Sequence, residues 1–198
     1  MRRQMVTGLL VTVSLMVVLC GIYPLAVWGI GQVAFRHQAD GSFVTAQGKV
    51  VGSALIGQNF TDNSGNPLPR YFQPRPSAAG TNGYDPTASS GSNLGPSSPA
   101  LIKAVTDRAV AYRQLNGLAA DAPVPVDAVT ASGSGLDPDI SVANALDQAP
   151  RVATARHLTA GQVIALVNQH TQGRAWGILG EKTVNVLDLN LALDRLAP

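Results

Sequence analysis

Apolar side chains run almost unbroken from Met5 to Ile30, and no charged residue occurs between Gln4 and Phe35. A helix rising about 1.5 Å per residue crosses a hydrocarbon core of about 30 Å in roughly 20 residues. The run therefore predicts a transmembrane helix over 5–30. Beyond it the pattern becomes mixed. Phe43-Val44-Thr45 and Lys49-Val50-Val51, around Gln47-Gly48, predict a short hairpin. Residues 61–99 hold seven of the 13 prolines and show no apolar period, which predicts a long Gly/Pro/Ser-rich loop. Loops of that length are functional or disordered, and Tyr71, Phe72 and Tyr84 point to one anchored on something. Pro99 suits the first turn of a helix to about Asn116, with Leu101, Val105, Ala109 and Tyr112 on one face and Gly117 as its stop. Alternation from Val124 to Ala131 predicts a strand. Ser141–Leu146 and Arg151–Arg156 predict two short helices parted by Pro150. Thr159 with Gln162 forms a capping box for a helix to about Thr171, Val184–Val186 a strand, and Leu187–Leu196 a closing amphipathic helix. The fold class read from this is α+β: a single N-terminal transmembrane helix followed by one mixed α/β extracytoplasmic domain over 36–198.

Charge sets the expected orientation. Arg2 and Arg3 are the only charges ahead of the span, and the positive-inside rule leaves residues 1–4 in the cytoplasm. A single-pass protein of the bacterial cytoplasmic (inner) membrane is predicted, with its C-terminal domain outside. A cleaved leader is the alternative, but its apolar core is about 7–15 residues and ends at a small-x-small site. Here the run continues through Trp28 with no such site. Thr7, Ser14 and Gly21 recur every seven residues, which predicts a face for helix packing in the membrane. Pro24 predicts a bend.

The 14 basic and 12 acidic residues become equal in number once Arg2 and Arg3 are set aside. A neutral outer part with no basic stripe excludes nucleic-acid binding. Cys20 falls in the span, so the outer domain has no disulfide, and His37, His157 and His170 stand apart without metal-ligand spacing. No directly bound cofactor or metal is predicted. Ser134 lies between glycines, yet Ser132 occupies the first glycine position of a nucleophile elbow. An external hydrolase built on Ser134, Asp137 and His157 is thus an outlying reading beside a simple small-residue turn. Gly180-Glu181-Lys182-Thr183 lacks the order and glycine spacing of a phosphate loop.

Motifs in register over nearly the whole chain carry a resemblance. Gly52-Ser53-Ala54-Leu55-Ile56-Gly57-Gln58-Asn59-Phe60 is followed by Tyr71-Phe72, Arg75-Pro76-Ser77-Ala78 and Gly91-Ser92-Asn93-Leu94. Val129-Thr130-Ala131-Ser132, Ser134-Gly135-Leu136-Asp137, Pro150-Arg151-Val152-Ala153, Ala155-Arg156, Val184-Asn185-Val186 and Leu189-Asn190-Leu191-Ala192-Leu193-Asp194 complete the order. The chain resembles the C subunit of the bacterial Kdp potassium-transporting ATPase, although Asp62–Arg70 is longer than the family pattern. The resemblance implies an accessory, assembly and stabilising subunit of an ATP-driven, high-affinity potassium uptake pump. Its implied partners are a channel-like potassium-translocating subunit, a P-type ATPase catalytic subunit and a small hydrophobic subunit. ATP, Mg and K belong to the complex. The Asp-Lys-Thr-Gly phosphorylation signature is absent, so a non-catalytic subunit is expected. Gln58, Asn59, Phe60, Tyr71, Phe72, Arg75, Asn93, Ser134, Asp137 and Arg151 are the expected partner-binding residues. The resemblance also implies an alternative, a catalytic chaperone that binds ATP together with the catalytic subunit. The predicted topology sets the domain across the membrane from ATP, so an influence on ATP affinity is expected to be indirect, through the pump's conformational state.

Overall fold

The computed structural model describes residues 1–196, in two compact units, Met1–Phe43 and the chain from Val44 on. The first unit is dominated by a continuous helix over Arg2–Ala34, long and apolar enough to cross a membrane. It extends beyond the predicted 5–30 at both ends. Within it, α1 (Arg2–Val17) passes through a π turn (Val18–Ile22) into α2 (Tyr23–Ala34), and the short α3 (Arg36–Ala39) follows. The π turn has a local cause. Pro24 has no N–H, and in a regular α-helix its ring crowds the carbonyl four residues back, that of Cys20. Widening the preceding turn, with Tyr23 N–H donating to Val18 O, relieves that crowding.

The predicted hairpin follows, β1 (Phe43–Ala46) and β2 (Lys49–Ser53), and all of it beyond Phe43 belongs to the second unit. Gln47 and Gly48 both have positive φ, 51° and 75°, as a two-residue hairpin turn requires. No helix or strand then occurs until α4 (Pro99–Asn116), which ends at Gly117 with φ 65°. The remainder runs α5 (Val126–Val129), β3 (Asp139–Ser141), α6 (Val142–Ala155), α7 (Ala160–Gln169), β4 (Thr171–Gln172), β5 (Thr183–Asn185) and α8 (Val186–Leu196). The three short strands form an antiparallel sheet in the order β3-β5-β4, with Ile140 opposite Val184. Helices α6, α7 and α8 supply most of the rest of the core, in which Ile140, Val152, Val163, Val167, Val184, Leu189 and Leu193 are essentially inaccessible.

Two expectations are corrected. The segment predicted as a strand over Val124–Ala131 is instead the single helical turn α5. Val126 is 73% exposed, so the alternation there did not report burial. Asp127 explains the turn: its carboxylate accepts from Ser141 N–H and Oγ and from Asn144 Nδ2, at 2.8–2.9 Å. The predicted break at Pro150 is absent as well. Helix α6 continues through it because Ala145, Gln148, Ala149, Val152 and Ala153 form one unbroken buried face. Pro150 lies on the exposed side, where water can satisfy the freed carbonyl. The capping box appears as predicted, Thr159 accepting from Gln162 N–H and Gln162 Oε1 accepting from Thr159 N–H.

Candidate functional site

Side chains, not strand pairing, give the segment 61–99 its shape. Phe72 inserts its ring fully into the core, which buries a peptide unit with no neighbouring strand. Two amides on apolar helix faces replace that strand. Asn190 of α8 accepts from Phe72 N–H at 2.9 Å and donates to Phe72 O at 3.0 Å. Gln148 of α6 does the same for Gln73, at 2.7 and 3.1 Å. The Gln73 side chain in turn donates to Phe60 O and Leu68 O, closing the loop upon itself.

Two arginines clamp this turn from outside. Arg151 donates from Nε to Asn116, and from its terminal nitrogens to Pro69 O, Tyr71 O and Gln148 Oε1. Burial lowers its pKa to about 10, far enough above neutrality to keep the charge. Arg156 has only 2% of its side chain exposed; it binds Arg70 O, pairs with Asp194 at 2.7 Å and lies 4.8 Å from the Tyr71 ring centroid. Phe60 and Tyr71 pack ring to ring at 5.4 Å.

The second half of the segment closes on the 132–137 turn. Arg75 pairs with Asp137 at 2.7 Å, and Tyr84 OH donates to Arg75 O at 2.8 Å. Burial, with Asp137 nearby, pushes the Tyr84 hydroxyl up from its ordinary value and holds it neutral. Ser77 Oγ donates to Gly135 O and accepts from Ala79 and Tyr84 N–H groups. Backbone crowding explains the glycines at this seam. A Cβ at Gly57 would meet the Tyr84 ring and Asp137 O, and one at Gly135, where φ is 69°, would meet Ser90 O at 2.7 Å.

The expected partner-binding residues separate into two groups. Phe60, Tyr71, Phe72 and Arg151 meet at the clamped turn, while Arg75, Asp137 and Ser134 share the second seam. Gln58 is half-buried beside Gly52, and the exposed Asn59 donates to Asn82 O. Asn93 stands exposed in the left-handed region and joins neither group. Ser134 is exposed, its Oγ accepts from Leu136 N–H, and its carbonyl accepts from Ser89 and Ser90. Among the described residues no hydrogen bond joins Ser134, Asp137 and His157. In the other unit Thr7 Oγ1 donates to Arg3 O, and Ser14 lies exposed on α1. Gly21 falls inside the π turn.

The residues that sequence reasoning missed are chiefly Gln148, Asn190, Gln73, Arg156 and Asp127. A signal existed: amides at Asn144, Gln148 and Asn190 sit on otherwise apolar helical stripes, where an unpaired amide is costly.

Between α4 and the 59–83 stretch lies a cleft of about 780 Å³. Arg75 and Arg108 line it with Gln73, Tyr112 and three prolines, and no carboxylate is among the lining residues. The site therefore combines a fastened, partly exposed loop with a recess lined by two guanidiniums that are already partnered, an arrangement suited to recognition.

Comparison with known proteins agrees with the motif order. A sequence profile described as "KdpC: K+-transporting ATPase, c chain" matches residues 5–195. A potassium-transporting ATPase KdpC subunit of Mycobacterium tuberculosis (strain H37Rv) is 55% identical over 196 residues, covering 99% of this chain and 100% of that protein. The KdpC subunits of Kineococcus radiotolerans and Dechloromonas aromatica are 54% and 51% identical, over 99% and 93% of this chain and 95% of each relative. With the profile spanning the membrane helix, the clamped loop and α8 alike, the chain belongs to the KdpC family and is a subunit of the bacterial Kdp potassium-transporting ATPase complex.

Proposed function

We propose that this chain is the accessory, non-catalytic subunit that assembles and stabilises an ATP-driven potassium uptake pump. Its helix packs beside the potassium-translocating subunit, and its second unit stands outside the membrane over that subunit's ion entrance. The P-type catalytic subunit and a small hydrophobic subunit complete the complex. One observation carries this reading: the segment 61–98, without helix or strand, is held in shape by side chains of distant helices. Fixing so much irregular backbone costs about 1–2 kcal/mol of entropy per residue. A preorganised surface repays that cost when a partner binds, because little ordering remains to be done. Phe60, Tyr71, Arg75 and Asp137 present exposed edges of this surface, and Gln58, Asn59, Asn93 and Ser134 flank it.

A second reading has the chain act as a catalytic chaperone, binding ATP together with the catalytic subunit. The cleft with Arg75 and Arg108 and no facing carboxylate favours it. Both guanidiniums already have internal partners, Asp137 and Val129 O, and we favour an indirect effect on ATP affinity. One experiment separates the two. Truncating the chain after Gly41 keeps the span and removes the outer unit. Loss of co-purification of the other pump subunits, with loss of potassium uptake, is expected. Intact assembly with a raised KM for ATP would instead support the chaperone reading, and intact assembly, uptake and KM would overturn both.

A further inference from the structure

The turn between β4 and β5 carries the largest contiguous set of exposed apolar side chains in the second unit. Trp176 is 89% exposed, Ile178 74% and Leu179 52%. Nothing about this turn is loose. Ala175 and Leu179 exchange both backbone hydrogen bonds, at 2.9 and 3.0 Å. Arg174 closes its base with two bonds to Glu181, at 2.8 and 2.7 Å. Trp176 and Gly177 both take positive φ, 51° and 79°, a conformation that a bulky indole disfavours. The fold thus holds an indole and two aliphatic chains in water, at a backbone cost, on a stapled projection.

We propose that this turn is a second membrane contact: Trp176, Ile178 and Leu179 enter the headgroup boundary of the bilayer that the chain's own helix spans. Three observations select lipid as the occupant. The three residues expose on the order of 500 Å² in all, less than the roughly 800 Å² per partner of a stable protein interface. An indole with aliphatic neighbours, beside Lys182 and the Arg174–Glu181 ion pair, has the amphipathic chemistry of the interfacial belt. A bilayer is also always within reach. Only ten residues run from Phe35 to Val44, at most about 35 Å of chain, and a unit of this size has a radius of gyration of about 15 Å. The inference does not depend on which pump subunit the domain meets.

The chain has two tryptophans, so Trp28→Phe leaves Trp176 as the sole indole. The full-length W28F chain is placed in nanodiscs of mixed neutral and anionic phospholipid, and in amphipol, which belts the span without a bilayer. In nanodiscs, Trp176 emission is expected to shift to the blue of its amphipol value. Lipids brominated near the headgroup are expected to quench it. Adding Ile178→Ser and Leu179→Ser should abolish both effects while the circular dichroism spectrum is retained. Emission equal in nanodisc and amphipol, without bromolipid quenching, overturns the proposal. So does a blue shift that appears only when the other pump subunits are added, still without bromolipid quenching, since the seat would then be protein.

Discussion

Asp139, at the start of β3, shows how one side chain can be set against its surroundings. Burial raises its carboxyl above the ordinary value, the Thr183 hydroxyl bond at 2.8 Å opposes that, and nearby Asp137 adds to it. A carboxyl whose pKa is higher folded than unfolded takes up a proton on folding. The charged form therefore penalises the native state, fully once the pH exceeds the raised value and not at all below the unfolded one. Asp139→Asn should raise the thermal midpoint at neutral pH, with the gain shrinking as the pH falls to about 4. A gain of equal size at both pH values would contradict this account. Little of such detail was legible in the sequence. Ser141 holds the cap of α6 and Asp127, 14 residues earlier, orients it. Which carboxylate faces which turn depends on α5, and the alternation around Asp127 suggested a strand instead.

At the scale of elements, the segment 61–99 behaves as a pinned ribbon whose fastenings lie in distant helices. Asn190→Ala would leave the N–H and C=O of Phe72 buried without partners. Leaving buried groups of this kind unpaired costs about 1–3 kcal/mol each, so destabilisation by about 2–4 kcal/mol is expected in chemical denaturation. Faster proteolytic cleavage within 61–99 should accompany it. Asp62→Ala removes only three exposed bonds within its own turn and should leave the denaturation midpoint close to that of the parent. Equal effects of the two substitutions would show that the ribbon is not held from α8. The sequence predicted α4, α7 and α8 well, because their caps and apolar spacing are local. Its failure at Pro150 is equally physical: a proline on the outer side of a helix breaks nothing that the buried face needs. The ribbon itself was visible as an absence of period with aromatic anchors, and not as a shape, since the amides that hold Gln73 and Phe72 lie 75 and 118 residues away.

For the whole molecule, orientation decides how the clamped loop can act. Arg2 and Arg3 precede a helix with no other charge before Arg36. Fusing alkaline phosphatase after the C-terminus should therefore give high activity in intact cells, and a cytoplasmic fluorescent reporter at the same point should stay dark. The reverse pattern would remove the proposed seat over an external ion entrance and make direct nucleotide contact reasonable. Arg2→Glu with Arg3→Glu should reduce the phosphatase signal, since the flanking cations are what fix the direction of insertion.

The π turn over Val18–Ile22 has a consequence for any neighbour of the membrane helix. One added residue in a single turn displaces everything beyond it by about 100° around the axis. A helical wheel drawn continuously from Thr7 to Ala34 thus misassigns one half, and the seven-residue line through Thr7 and Ser14 does not extend to Trp28. Removing Pro24 would let the spiral close to its regular pitch and turn the two halves against each other, changing which azimuth each leaflet sees without altering any other side chain.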